Sequence, residues 1–125
     1  MSNRFRSFQL FILILTLAAL APAQWSTDPA INTPVCTAVN GQYYPEIYTP
    51  GTGGSILVWH DFRPGLQADL YVQKFDTGGT PQWTPNGVAL SMAAGHQWGQ
   101  TITGDGLGGA IVAWHDERNN SDYFD

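Results

Sequence analysis

Cysteine is almost missing: Cys36 stands alone in a chain of 125 residues, so no disulfide can form within it and stability must come from packing. A lone exported cysteine is either a reactive thiol or a plain structural residue, a small apolar filler or a partner for a cysteine beyond this segment, and Ser91, 55 positions further on, favours the structural reading. Positive charge is scarce as well. Beyond residue 23 only Arg63, Lys74 and Arg118 stand against ten acids, a net of 3 minus 10, or −7. With no basic stripe to neutralise phosphates, nucleic acid and anionic membrane surfaces are not expected partners. No apolar run is long enough to span a bilayer: the longest, Leu10 to Leu20, has eleven residues. As a helix it would reach roughly 16 Å against a hydrocarbon core of about 30 Å. Arg4 and Arg6 before it and Ala21-Pro22-Ala23 after it make residues 1–23 an expected secretory signal, cleaved after Ala23. No stable membrane span is expected after cleavage, and Gln24 in place of a cysteine speaks against a lipid-modified N-terminus. The expected location is secreted or at the cell surface. There is no Gly-x-Ser-x-Gly elbow, Walker loop, His-Glu-x-x-His or Cys-x-x-Cys. The glycines from Gly104 to Gly109 precede a strand pattern, which excludes a dinucleotide fingerprint. Hence no catalytic residue, cofactor or metal is expected within the chain.

What is abundant is repetition. The stretch from Gly53 to Arg63, Gly-Gly-Ser-Ile-Leu-Val-Trp-His-Asp-Phe-Arg, returns from Gly108 to Arg118 as Gly-Gly-Ala-Ile-Val-Ala-Trp-His-Asp-Glu-Arg, seven of eleven positions being identical. The same offset of 55 pairs Gln42 with Gln97, Tyr43 with Trp98, Ile47 with Ile102 and Gly51 with Gly106. Within a unit, turn residues separate short β-rich runs: Pro45–Thr49 (or Gln100–Thr103), Ile56–Trp59 (or Ile111–Trp114), Asp69–Phe75, and Val88–Ser91 with Pro34–Thr37 as its earlier counterpart. Ile56–Trp59 is apolar on both parities, which in a strand means that both faces are covered. A four-stranded sheet apolar on both faces must be stacked between others like itself. The expectation is an all-β chain forming part of a β-propeller with fewer than two complete blades: repeat region 24–125, with units at 38–92 and 93–125, the latter cut where Asp125 aligns with Asp69.

The Trp-His-Asp-x-Arg segment has the residue types of metal and acid/base sites. Its duplication argues for scaffold instead, since a catalytic site breaks the symmetry of a repeat whereas a turn is needed in every copy. Asp61 is expected to accept turn N–H groups or pair with Arg63, Asp116 likewise with Arg118, and Trp59 and Trp114 to pack between blades. His60 and Asp61, adjacent in a strand, point to opposite faces and are a poor chelating pair. Asp69 and Asp76 flank a strand without the alternating oxygen ligands of a calcium loop. Trp83 joins the structural positions, leaving Tyr43, Tyr44 and Trp98 as candidates for an exposed aromatic surface on which a sugar ring could stack.

Gly104–Arg118 and Asp69–Val88 resemble exported bacterial repeat proteins whose units read DGxGGAIVAWxDxR, then DIYxQRxDxxGxxxW and GV. The resemblance implies a propeller-like fold and an extracellular setting, and it carries no activity with it. Asp76-Thr77-Gly78 to Trp83 is also similar, at compressed spacing, to the tryptophan-docking repeats of quinoprotein-type propellers, which implies a docking role for Trp83 and nothing about a quinone. The functional expectation is a non-enzymatic extracellular interaction scaffold binding protein or glycan. The alternative is the propeller domain of a secreted hydrolase or oxidoreductase whose site lies outside this segment.

Overall fold

The computed structural model describes residues 25, 26 and 28–118, among which every regular element is a β-strand. The expected signal, its cleavage point and the expected third strand at Asp125 lie outside the described residues. Six strands follow in order: β1 (Gln42–Tyr48), β2 (Ser55–Asp61), β3 (Asp69–Phe75), β4 (Val88–Ser91), β5 (Gln97–Gly104) and β6 (Ala110–Asp116). The first four form one antiparallel sheet in the order β1-β2-β3-β4, and β5 and β6 form a second. The first sheet falls within residues 38–92 and the second within 93–125. Pro34–Thr37, expected as a strand, is irregular. Its backbone is drawn away from a sheet edge: Thr37 N–H donates to Asn86 Oδ1 at 2.7 Å.

The two sheets share their register. Gln42 faces Asp61, Tyr43 faces His60 and Ile47 faces Leu57, and the same partners recur 55 positions on as Gln97–Asp116, Trp98–His115 and Ile102–Val112. Both ladders slip at the same point, between Tyr43 and Glu46 and between Trp98 and Thr101. Such a bulge places one residue in the left-handed region. In the second sheet it is Gly99, at φ 62°; in the first it is Tyr44, at φ 52°.

Packing follows from strand parity. Ile56 and Val58 of β2 and Leu70 and Val72 of β3 share one face and form the buried core; Ile102, Ala110, Val112 and Trp114 of the second sheet pack against them. Full burial of an aliphatic side chain of this kind contributes about 1.5–3 kcal/mol. The opposite face of the first sheet carries Trp59, Asp61, Tyr71, Gln73 and Phe75, also buried, so β2 and β3 are covered on both sides, as their apolar pattern requires. Backbone bonds also join the sheets, with Gln97 N–H donating to Ala68 O at 2.9 Å.

Candidate functional site

The Trp-His-Asp-x-Arg segment closes into a hydrogen-bonded knot at the end of β2. Trp59 and Asp61 are two residues apart in a strand and share a face, so the indole can reach the carboxylate: Trp59 Nε1 donates to Asp61 Oδ2 at 2.9 Å. The turn brings Arg63 back, and its backbone N–H and Nε donate to Oδ1 at 2.8 and 2.9 Å while Nη2 donates to Oδ2 at 2.6 Å. Nη2 also reaches Asn86 O at 2.7 Å, Cys36 Sγ lies 3.3 Å away, and the guanidinium stacks 3.8 Å from the centre of the Tyr71 ring. Burial alone would push Asp61 up; the bonds from Arg63 and Trp59 outweigh it and hold the carboxylate below its ordinary range. Cys36 is thus packed under an ion pair. It accepts from Ala38 N–H as Ser91 accepts from Ala93 N–H, the two matched by the repeat offset.

The second copy repeats the knot with fewer walls. Trp114 Nε1 donates to Asp116 Oδ2 at 3.4 Å, Arg118 N–H donates to Oδ1 at 3.0 Å, and Arg118 Nη2 pairs with Oδ2. The Arg118 guanidinium pulls Asp116 down to about 2. Both carboxylates accept from the backbone N–H and the guanidinium of the arginine two residues on. The indole bond is an addition that parity alone could have suggested.

The tryptophans divide. Trp59 is buried, stacked on Tyr71 with ring centres 6.4 Å apart, but on the face away from the second sheet; Trp114 lies between the sheets. An added Cβ at Gly87, where φ is 84°, would meet the Trp59 ring at 2.5 Å, so glycine there is required twice over. Trp83, expected in the core, is 40% exposed. The loop carrying it is anchored instead by Gln73, which is fully buried, accepts from Trp83 N–H at 3.1 Å and donates to Thr84 O at 2.9 Å. Asp76 is absorbed by its own turn, accepting from Gly78 and Thr80 N–H, both at 2.9 Å. No group of three or more metal-ligating side chains occurs among the described residues.

Tyr43 and Tyr44 are exposed, as expected for a binding surface, whereas Trp98 is half-buried, with its Nε1 donating to Glu117 Oε1 at 3.2 Å and its ring 4.6 Å from His115. Beside them the two sheets part into a cleft of about 680 Å³ lined by Tyr44, Glu46, His60, Phe62, Trp98 and Gln100, among others. His60 points into it, away from Asp61, with the Tyr44 ring edge-on at 5.3 Å. Gln100 crosses from the second sheet and donates through Nε2 to Tyr44 O. His60 and Gln100 are both buried and interact with each other through their side chains. Burial holds His60 below the ordinary imidazole value, with Gln100 opposing and His96 adding a smaller like-charge effect. Neither His60 nor Gln100 stood out in the sequence as a cleft residue. No protein-family model, curated protein or solved structure matches this chain.

Proposed function

We propose that the chain is an exported, non-enzymatic interaction scaffold built of propeller-type blades. The observation that carries this reading is how the sheets stack. The face of the second sheet turned to the first bears Val112 and Trp114, the counterparts of Leu57 and Trp59; the face it meets bears Ile56 and Val58, the counterparts of Ile111 and Ala113. Unlike faces therefore meet head to tail, a contact that each further unit can repeat and that closes when the units complete a ring. Both copies of the one segment resembling a catalytic motif are spent on holding turns. Ile111, whose counterpart Ile56 is buried, is 58% exposed and offers the next unit its seat.

Expression with residues 1–23 in a bacterial host tests export: the product should leave the cytoplasm and begin at Gln24, and a cytoplasmic product beginning at Met1 would overturn that part. Analytical ultracentrifugation of the exported chain tests the stacking. Concentration-dependent association is expected, abolished by Ile111→Lys; a monomer at every concentration, or an association that ignores the substitution, would overturn it.

A further inference from the structure

Resting on that stacking reading, we infer that the face of the first sheet turned away from the second, at Ile47 and Leu57, is a docking surface for a second copy of this chain, which seats its Ile111–Ala113 face there. The repeat shows what such a surface holds. In the second sheet Ile102, Val112 and Trp114 pack against Ile56, Val58, Leu70 and Val72, and 55 positions earlier their counterparts are Ile47, Leu57 and Trp59. Register carries the match to the level of pairs, since Ile47 lies opposite Leu57 as Ile102 lies opposite Val112. What differs is cover. Ile47 is 62% exposed and Gln42 half-buried, whereas Ile102 is half-buried and Gln97 fully buried. A groove of about 250 Å³ lies beside Leu57 and Trp59, bounded by Val35, Cys36, Gln42 and Pro45. Positions that a neighbouring sheet covers in the second unit are thus left open in the first.

The complementary surface lies on the far side of the second sheet. Strand alternation turns Ile111 and Ala113 away from the first sheet, and their cross-strand partners Thr103 and Thr101 share that side; all four are exposed and none is charged. Ile111 and Ala113 are the counterparts of Ile56 and Val58, which the second sheet covers. The chain therefore carries both halves of the contact that it already makes internally, one at each end of the stack. A partner of different sequence would have to reproduce a strand face that a second copy brings with it. Pairing of unlike faces leaves one free face on each side of every dimer, so a third copy can follow. Two Ile111 faces joined to each other, or two Ile47 faces, would stop at two.

Sedimentation velocity of the exported chain, of Ile47→Lys, of Ile111→Lys and of an equimolar mixture of the two variants would decide. The wild type should form species larger than a dimer as its concentration rises. Each variant alone should have its association weakened by about tenfold or more while keeping the wild-type circular dichroism spectrum, since both positions are exposed. Ile47→Thr, which suits a strand, should weaken association in the same direction. Mixed, the two lysine variants should form a one-to-one dimer and nothing larger, because each supplies the half that the other lacks. Wild-type association that Ile47→Lys leaves at full strength, or a mixture that stays monomeric, would overturn the inference, even where Ile111→Lys still abolishes association and the stacking reading survives. A wild-type monomer at every concentration would overturn both, so the two can be told apart.

Discussion

Trp59-His60-Asp61-Phe62-Arg63 and Trp114-His115-Asp116-Glu117-Arg118 have three bonds in common, from the indole, the arginine backbone N–H and Nη2, in different surroundings. Asp61 is fully buried and its Arg63 partner 21% exposed, whereas the side chains of Asp116 and Arg118 are 19% and 50% exposed. Around Arg63 lie Asn86 O, Cys36 Sγ and the Tyr71 ring. Those walls come from β3, the β4 approach and the irregular segment before β1. The knot is therefore encoded locally, by five residues, while its burial is supplied by distant parts of the unit. The difference separates what the motif does for the turn from what it does for the fold.

The largest test of that separation is at the tryptophans. Trp59→Ala removes a buried ring seated against Tyr71 and Gly87, and a loss of about 3–5 kcal/mol in urea unfolding is expected. Trp114, half-buried at the sheet interface, should cost about half as much. Equal losses would show that the sheet interface is as tightly packed as the interior of the first unit.

Next come the carboxylates. Asp61→Ala leaves a part-buried guanidinium and a buried indole N–H without their acceptor, and a loss of about 3 kcal/mol is expected. Asp116→Ala breaks a largely solvated pair and should cost below about 1 kcal/mol. Similar costs at the two positions would mean that burial does not govern the strength of the knot.

Which parts of this contrast were legible beforehand follows from how each residue acts. The boundaries of β3 and β4 match the turn chemistry flanking them, and β2 was marked by its two-sided apolar run, because local punctuation and parity are sequence properties. Pro34–Thr37 misled because its likeness to Val88–Ser91 is positional, while its backbone is claimed by Asn86. Trp83 misled for a related reason: a tryptophan after a turn reads as an anchor, but Gln73 holds that loop through two bonds from a fully buried side chain. Nothing local distinguishes such a glutamine from a surface one. The cleft was half legible, its aromatics from composition, its His60 and Gln100 only once the sheets were paired.

Acid sharpens the comparison at smaller amplitude. Asp61 and Asp116 both bind a proton more weakly in the folded chain than in the unfolded one, so their stabilisation is complete above about pH 4 and is lost as pH falls through the folded values, near 2 for Asp116. Unfolding midpoints followed from pH 5 to pH 2 should decline, and Asp61→Asn should flatten more of that decline than Asp116→Asn if burial amplifies the first knot.

The smallest effect concerns a residue for which the second knot has no counterpart among the described residues. Asp69 pairs across the sheet with Asp61, and burial, helped by the Asp61 charge, raises its affinity for a proton above the ordinary carboxylate value. The sign is opposite to that of Asp61: the folded chain holds this proton more tightly than the unfolded chain, so the residue works against folding at neutral pH and ceases to do so as pH falls through the raised value. Asp69→Asn keeps the shape and removes the charge. It should raise the unfolding midpoint at pH 7 and lose that advantage by about pH 3, where the unfolded aspartate is protonated as well. A midpoint that falls at pH 7 would mean that the Asp69 carboxylate holds the first knot together, and that the buried copy depends on two acids where the exposed copy manages with one.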